Sequence, residues 1–413
     1  MSNSPAKKTE KDTQNLIIAL CWCVYSAAYF GRYSFSSSVN SLIDSCGVTN
    51  AETGLIATFF FVAYGVGQVA NGFLCKRYNA RLVFPLSLGG SAVINVLVFF
   101  LLKTGFITSH FYIFKYIWLL NGAVQSFIWT SIVFVMGKNL DKSNLAKAGV
   151  VIGTTVPAGT FIAYSTGSLM EHLGLYEWSF VLAAIIMSCV GAAWFVFFKP
   201  HKRSDIAEAP ESAPEKHGKI SSATLIIVAG LAIFAISNNL IKDGLQQWIP
   251  KILKDTYDFS NTKALILATA IYLCGISGSF IAKKINQKFS DHIICSTIFF
   301  AVAATLIISI RLLLNVSAIP VAIMMIPTMI CGYAVNNIVT SVAPLSLRDE
   351  INPGVAAGVL DGFCYIGSAI GTYALGYIAD ISSWNTALVL LFAVSVFSAV
   401  AALALRLLKR NKA

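Results

Sequence analysis

Apolar runs of about 20 residues, the length a helix needs to cross a bilayer, fill this chain almost end to end, and short polar stretches separate them. The pattern predicts six spans near 15–43, 52–75, 82–103, 111–138, 145–170 and 176–198. Six more follow near 221–250, 262–283, 292–314, 317–346, 354–379 and 385–407. These are numbered spans 1 to 12. The first 14 residues are polar, and the apolar run behind them is too long for the core of a cleavable leader, so it reads as span 1. Residues 200–219 form the one long polar segment, rich in Pro, Ala and charge, and read as a flexible linker. The expected organisation is an N-terminal tail over 1–14, a six-helix bundle over 15–199 and the linker over 200–219. A second six-helix bundle over 220–408 and a tail over 409–413 complete it. The fold class is an all-α membrane protein of twelve transmembrane helices in two related bundles.

Composition agrees. Hydrophobic residues make up 56% of the chain, charged residues 12%, and the mean hydropathy is +0.72. Soluble domains carry roughly twice that charged fraction. A net charge of +11 invites a nucleic-acid reading, but the placement of the charges answers it. With twelve spans both termini share one face, and 22 of the 30 Lys and Arg residues fall on that face. Cytoplasmic loops attract such an excess, so both termini are expected in the cytoplasm of a cell-membrane protein. Topology accounts for the basic excess and no nucleic-acid partner is needed. The partners implied are the lipid bilayer and a small solute, with the chain acting as a monomer.

The halves echo each other. Cys75-Lys-Arg-Tyr-Asn-Ala-Arg81 after span 2 matches Ala282-Lys-Lys-Ile-Asn-Gln-Lys288 after span 8 in residue class, at an offset of 207. Parallel six-span repeats point to the major facilitator architecture, which holds its solute near the midplane between the halves.

Charges inside the spans are few, chiefly Arg32, Lys242 and Asp361. A cation at the bilayer centre costs about 2.5–3.5 kcal/mol on insertion scales. Two such cations in corresponding places of the two halves suggest a pocket for an anion. In span 1, Tyr25, Tyr29, Arg32 and Ser36 step by 4, 3 and 4 and share one helical face. That face must look at protein or water. The bland reading of Arg32 is a structural partner to a carboxylate, yet no acidic residue lies at similar depth elsewhere in the first six spans. Span 7 carries Asn238, Asn239, Lys242 and Asp243; the last two sit about 100° apart around a helix, so they are expected not to face each other. Lys242 is the expected cavity residue, against the alternative of a side chain snorkelling to the interface. For Asp361 three readings stand: partner to Lys242, proton carrier, or specificity residue for a sugar hydroxyl. It shares a face with Tyr365. In span 4, Asn121, Gln125 and Trp129 repeat every fourth residue as a second polar–aromatic stripe, and Thr155 in span 5 and Asn336 and Asn337 in span 10 are weaker cavity candidates. Such residues also serve as glue between helices.

All five histidines sit in loops or at span ends, which leaves no histidine relay through the membrane. The nine cysteines contain no CxxC pair and read as small packing residues. Nucleotide loops, metal-ligand clusters and nucleophile elbows are absent from the sequence, so neither an enzyme nor a cofactor is expected.

The chain resembles the organophosphate:phosphate antiporter family of the major facilitator superfamily, which includes glycerol-phosphate, hexose-phosphate and glucose-6-phosphate transporters. The likeness rests on Tyr25-x3-Tyr29-x2-Arg32, Arg77-Tyr-Asn79-Ala-Arg81 and Asn121-Gly-x2-Gln125-x3-Trp129. Gly244-x3-Trp248-x-Pro250 and Ala356-Ala-Gly358 through Tyr365-x-Gly367 extend it into the second half. The resemblance implies that Arg32 and Lys242 are the two phosphate-binding bases and that Tyr25 and Tyr29 line the same cavity. It further implies exchange of a phosphorylated small metabolite for inorganic phosphate. Three positions depart from glycerol-phosphate carriers: Gln68 stands where they have Lys, Thr155 where they have His, and Lys76 where an acidic residue is usual. Glycerol 3-phosphate as the particular solute is thereby put in question. Two cations about 10 Å apart repel by about 1.7 kcal/mol at an effective dielectric of ~20, so an empty carrier is expected to resist closure. A proton-coupled carboxylate symporter with Asp361 titrating is the alternative, and a transporter-like sensor without transport is a third.

Overall fold

A computed structural model describes residues 5–74, 77–199, 222–275, 277–289, 291–347, 351 and 353–410. The linker over 200–219, Lys76 and Arg348 lie outside the described residues. Among those described, all regular structure is helical.

In the N-terminal half, span 1 is the 42-residue helix Pro5–Cys46, which continues into the segment read as a polar tail. Span 2 is Asn50–Leu74, span 3 Ala80–Lys103 and span 6 Trp178–Phe197. Span 4 is broken into Phe114–Gln125 and Phe127–Asn139, and span 5 into Lys142–Ile152 and Thr155–His172. In the C-terminal half, span 7 is Ser222–Tyr257, span 9 His292–Leu313, span 11 Pro353–Ile381 and span 12 Trp384–Arg410. Span 8 is Asn261–Gly275 with Ser277–Phe289, and span 10 is Ala318–Asn337 followed by a π-helical turn, Ile338–Val342, and Ala343–Ser346.

Side-chain caps start the helices that follow the repeated basic segments. Asn79 accepts from the Arg81 amide at 2.9 Å ahead of span 3, and Asp291 accepts from the Ile293 amide at 2.9 Å ahead of span 9. Each satisfies an amide that the first helical turn leaves without a partner. At the break in span 4, the Ser126 hydroxyl bonds the Ala123 carbonyl at 2.6 Å and accepts from Asn71 of span 2 at 2.9 Å.

Ten of the described helices are long and apolar enough to cross a membrane. Span 5, predicted from the same kind of run, is interrupted at Gly153 and Thr154 and carries Gly, Ser and Thr along its longer piece. It lies against protein, packed on span 8, as span 11 lies against spans 2 and 7. Helices enclosed in this way need small surfaces more than greasy ones. Span 1 is the most enclosed, with 78% of its apolar window buried, against 33% for spans 6 and 12.

The contact between spans 2 and 11 tightens along its length. A Cβ on Gly54 would fall 2.5 Å from the Thr372 carbonyl oxygen, and one on Gly65 would fall 2.9 Å from Tyr365 Cβ. One on Gly362 would meet Val69 at 3.2 Å, whereas Gly72 and Gly358 have nothing within 4 Å. The two halves therefore meet closely on the face away from the termini and part toward the terminus face. Polar bonds hold the close end. Asp380 accepts from the Asn50 amide, the Asn50 side chain and the Ala51 amide at 3.2, 2.7 and 2.6 Å. Asn261 donates to Glu171 at 2.9 Å, Ser36 to Gln247 at 2.7 Å, and Lys254 pairs with Asp44.

Candidate functional site

Arg32 lies mid-way along span 1, and its side chain is 5% exposed. Its guanidinium carbon stands 4.8 Å from the ring centres of Tyr29 and Phe60 and 4.4 Å from that of Tyr64. Ring faces attract a cation by roughly 0.5–2 kcal/mol each, at the upper end when water is excluded. Three rings therefore offset much of the cost of burying this charge while leaving its hydrogen-bonding edge free. No acidic residue pairs with Arg32 among the described residues, and its Nε is buried with no acceptor. The structural reading of Arg32 as half of an ion pair is thus not what is found. The Tyr64 hydroxyl and Gln68 Nε2, on the same face of span 2, are also buried without partners. A cluster of unused donors in a low-dielectric interior costs free energy unless an acceptor arrives.

The remaining span 1 residues extend this wall. The Tyr25 and Tyr29 hydroxyls are 3.3 Å apart, Tyr25 stacks on Trp129 at 5.0 Å, and Tyr29 stacks on Tyr33 at 5.8 Å. Tyr365 of span 11 carries the wall into the second half, with its ring 4.7 Å from that of Tyr64. Asp361, one turn earlier on span 11, is half-buried and interacts electrostatically with Arg32 and Lys242. Arg32, Lys242, Asp361 and the tyrosines are thus brought together where the two halves meet.

Lys242 departs from expectation. It is buried and points toward the centre, with its ammonium 5.4 Å from the Tyr333 ring, but it is paired with Asp243. The hydroxyl of Ser368 donates to the other oxygen of the same carboxylate. Reading helical faces placed the two neighbours apart. Consecutive Cα atoms are only about 3.8 Å apart, so a four-carbon stem reaches the adjacent carboxylate whatever the angle. The expected repulsion between two bare cations is cancelled on one side. Of the three readings of Asp361, the partnership with Lys242 gives way to Asp243.

The span 4 stripe is divided by the structure. Trp129 joins the tyrosine wall, but Asn121 and Gln125 are fully buried inside the N-terminal bundle. Ser91 of span 3 donates to Asn121 at 2.6 Å, and Gln125 donates to Ser91 at 2.9 Å. These bonds join spans 3 and 4, while Asn121 Nδ2 and Gln125 Oε1 are buried without partners. Thr155 is likewise fully buried and donates to the Ile152 carbonyl at 2.6 Å, closing the first turn after the break in span 5. Asn239 donates to the Ala235 carbonyl at 3.1 Å and lies beside Cys364 of span 11. Asn336 and Asn337 are half-buried just ahead of the π turn of span 10.

Sequence reading missed Tyr33, Phe60, Tyr64, Tyr333 and Ser368, and it named Asp243 without seeing its bond to Lys242. The i, i+4 aromatic pair Phe60 and Tyr64 was a signal on span 2, but its meaning depended on which helix it faced.

The Major Facilitator Superfamily model matches residues 21–352. Over 111 residues the chain is 33% identical to the membrane sensor protein UhpC of Salmonella typhimurium, a match covering 27% of this chain and only 24% of that relative. It is 26% identical over 382 residues to the putative glycerol-3-phosphate transporter 1 of Arabidopsis thaliana, covering 82% and 71% of the two chains. It is 23% identical over 396 residues to sugar phosphate exchanger 3 of Bos taurus, covering 84% and 78%. The fold superposes on an inward-facing, unoccupied bacterial homolog of the human lysosomal transporter Spinster with a TM-score of 0.77, 14% identity and 98% of each chain covered. These relatives carry the kinds of name that the motif resemblance implies. With helical spans in two halves and a family model reaching from span 1 to the end of span 10, the chain belongs to the Major Facilitator Superfamily and is a multi-pass membrane protein.

Proposed function

We propose that this chain is a secondary active transporter that exchanges a phosphorylated small metabolite for inorganic phosphate by alternating access. The observation that carries this reading is Arg32: a buried guanidinium caged by three rings, unpaired with any carboxylate among the described residues, with unused donors on Tyr64 and Gln68 nearby. Guanidinium suits a phosphate because its planar fork can bond two oxygens at once. Relatives named as a glycerol-3-phosphate transporter and a sugar phosphate exchanger support a phosphate ester as the solute. The solute enters from the terminus face, which we place in the cytoplasm. It binds Arg32 with Tyr25, Tyr29 and Tyr365 around its organic part, and Lys242 is recruited from across the interface. Binding lowers the occluded state more than either open state, which is what drives the exchange of faces.

The test is counterflow in proteoliposomes preloaded with inorganic phosphate and offered labelled glycerol 3-phosphate or hexose 6-phosphate. Arg32→Ala abolishes uptake and Arg32→Lys impairs it; full exchange in Arg32→Ala would falsify the site. A second reading, a proton-coupled carboxylate symporter, draws on Asp361 standing half-buried beside both cations. Net uptake driven by an imposed pH gradient, with no internal phosphate, would favour it. Phosphate binding without any counterflow would point instead to a sensor, in the manner of the relative that bears that name.

A further inference from the structure

The pairing of Lys242 is built from three elements of the C-terminal half. Its stem is seated on Gly332 of span 10, where an added Cβ would come within 3.0 and 3.1 Å of Lys242 Cβ and Cγ. Its ammonium lies over Tyr333 of the same span. One oxygen of Asp243 takes that ammonium, and the other takes the hydroxyl of Ser368, a fully buried residue of span 11. The carboxylate interacts electrostatically with Tyr29 and Tyr33 of span 1, so it faces the wall that carries Arg32. Two oxygens held between an ammonium and a hydroxyl present the same chemistry as two oxygens of a phosphate.

We infer that Asp243 is a tethered competitor for the transported anion: in the unloaded protein its carboxylate occupies the seat on Lys242 and Ser368 that a phosphate oxygen pair takes on loading. The inference rests on the anion-exchange reading above and names a residue that sets affinity and release within it. Three consequences follow. The unloaded interface carries no bare second cation, which makes burial of Lys242 tolerable. The arriving anion must displace a carboxylate, so a dianionic phosphate gains more than a monoanion. The displaced Asp243 stays alongside and speeds the anion's departure by reclaiming Lys242.

The experiment uses the purified full chain in nanodiscs, titrated with inorganic phosphate by calorimetry, with phosphate–phosphate exchange measured in proteoliposomes. Charge-assisted bonds are strong enough that Asp243→Asn is expected to bind phosphate about tenfold more tightly and to exchange it more slowly at saturation. Ser368→Ala removes a donor from the carboxylate in the unloaded protein and from the phosphate in the loaded one, so it moves affinity less than Asp243→Asn does. Lys242→Gln weakens binding, and the gain from Asp243→Asn shrinks when it is added to Lys242→Gln, because Lys242 is the cation for which carboxylate and phosphate contend. Unchanged or weaker binding in Asp243→Asn, with Arg32→Ala and Lys242→Gln both weakened, overturns the inference and leaves the anion site standing. Should Asp243→Asn fail to fold, Asp243→Ala also removes the carboxylate, and unchanged or weaker binding there overturns the inference equally. Phosphate binding indifferent to both Arg32→Ala and Lys242→Gln would instead remove the anion-exchange reading itself.

Discussion

Asp380 offers a perturbation whose size follows from the structure. Span 2 begins at Asn50, and its first amides have no partner within their own helix. Asp380, at the end of span 11 in the other half, supplies acceptors to the Asn50 and Ala51 amides and to the Asn50 side chain. One carboxylate therefore caps a helix, meets the positive end of its dipole and ties the halves together. Cap removal costs about 0.5–2 kcal/mol and a charge at a helix start adds about 0.3–1 kcal/mol. Asp380 is exposed, so water and salt screen it and the lower figures apply. A loss of about 1 kcal/mol shifts the ratio of latched to unlatched protein roughly fivefold. Spin labels at Tyr112 and Val316, both exposed on the loop face away from the termini, would read this by pulsed distance measurement in a cysteine-free background. In Asp380→Ala a longer-distance population grows about fivefold. Asp380→Asn, which keeps one acceptor oxygen, falls between, and 1 M salt narrows the gap to wild type. An unchanged distance distribution in well-folded Asp380→Ala would show that this bond does not hold the faces together.

Three further outcomes follow from the site and its scaffold. Tyr64→Phe keeps the ring face over Arg32 and retains most phosphate binding in calorimetry, whereas Tyr64→Leu removes it and weakens binding about fivefold. Asn121→Leu leaves the Ser91 hydroxyl without its acceptor, so the melting temperature of purified protein falls while phosphate affinity per folded molecule is unchanged. Gly371→Ala places a Cβ 2.4 Å from the Leu240 carbonyl oxygen; the overpacking costs about 1–3 kcal/mol and lowers the melting temperature, while Gly358→Ala, with open space around it, leaves it unmoved.

Much of this architecture is legible along one dimension. Apolar runs mark the spans because lipid forces each to be long and greasy, and the failures are instructive. Span 5 faces neighbouring helices, so the pressure for large aliphatic side chains is relaxed there, and its run is broken at Gly153 and Thr154. The stripe of Tyr25, Tyr29 and Arg32 could be read because one helix carries it all. The cage around Arg32 could not, since Phe60 and Tyr64 belong to another helix whose rotation no local spacing reveals. The same ambiguity misplaced Asn121 and Gln125: a polar row facing a solute path and a polar row bonded to the next helix look identical in sequence. Lys242 failed for a different reason. Helical faces describe where a side chain begins, and a long flexible amine is not bound to end there.

The aromatic cage of Arg32 also decides how the site answers to its surroundings. A guanidinium steadied by a carboxylate loses that support when the acid takes up a proton. Aromatic quadrupoles take up none, and guanidinium itself stays charged throughout biological acidity. The grip on a guest is therefore constant from an acidic to an alkaline compartment, and any sensitivity to acidity must enter through the guest's own ionisation or through the aspartates opposite.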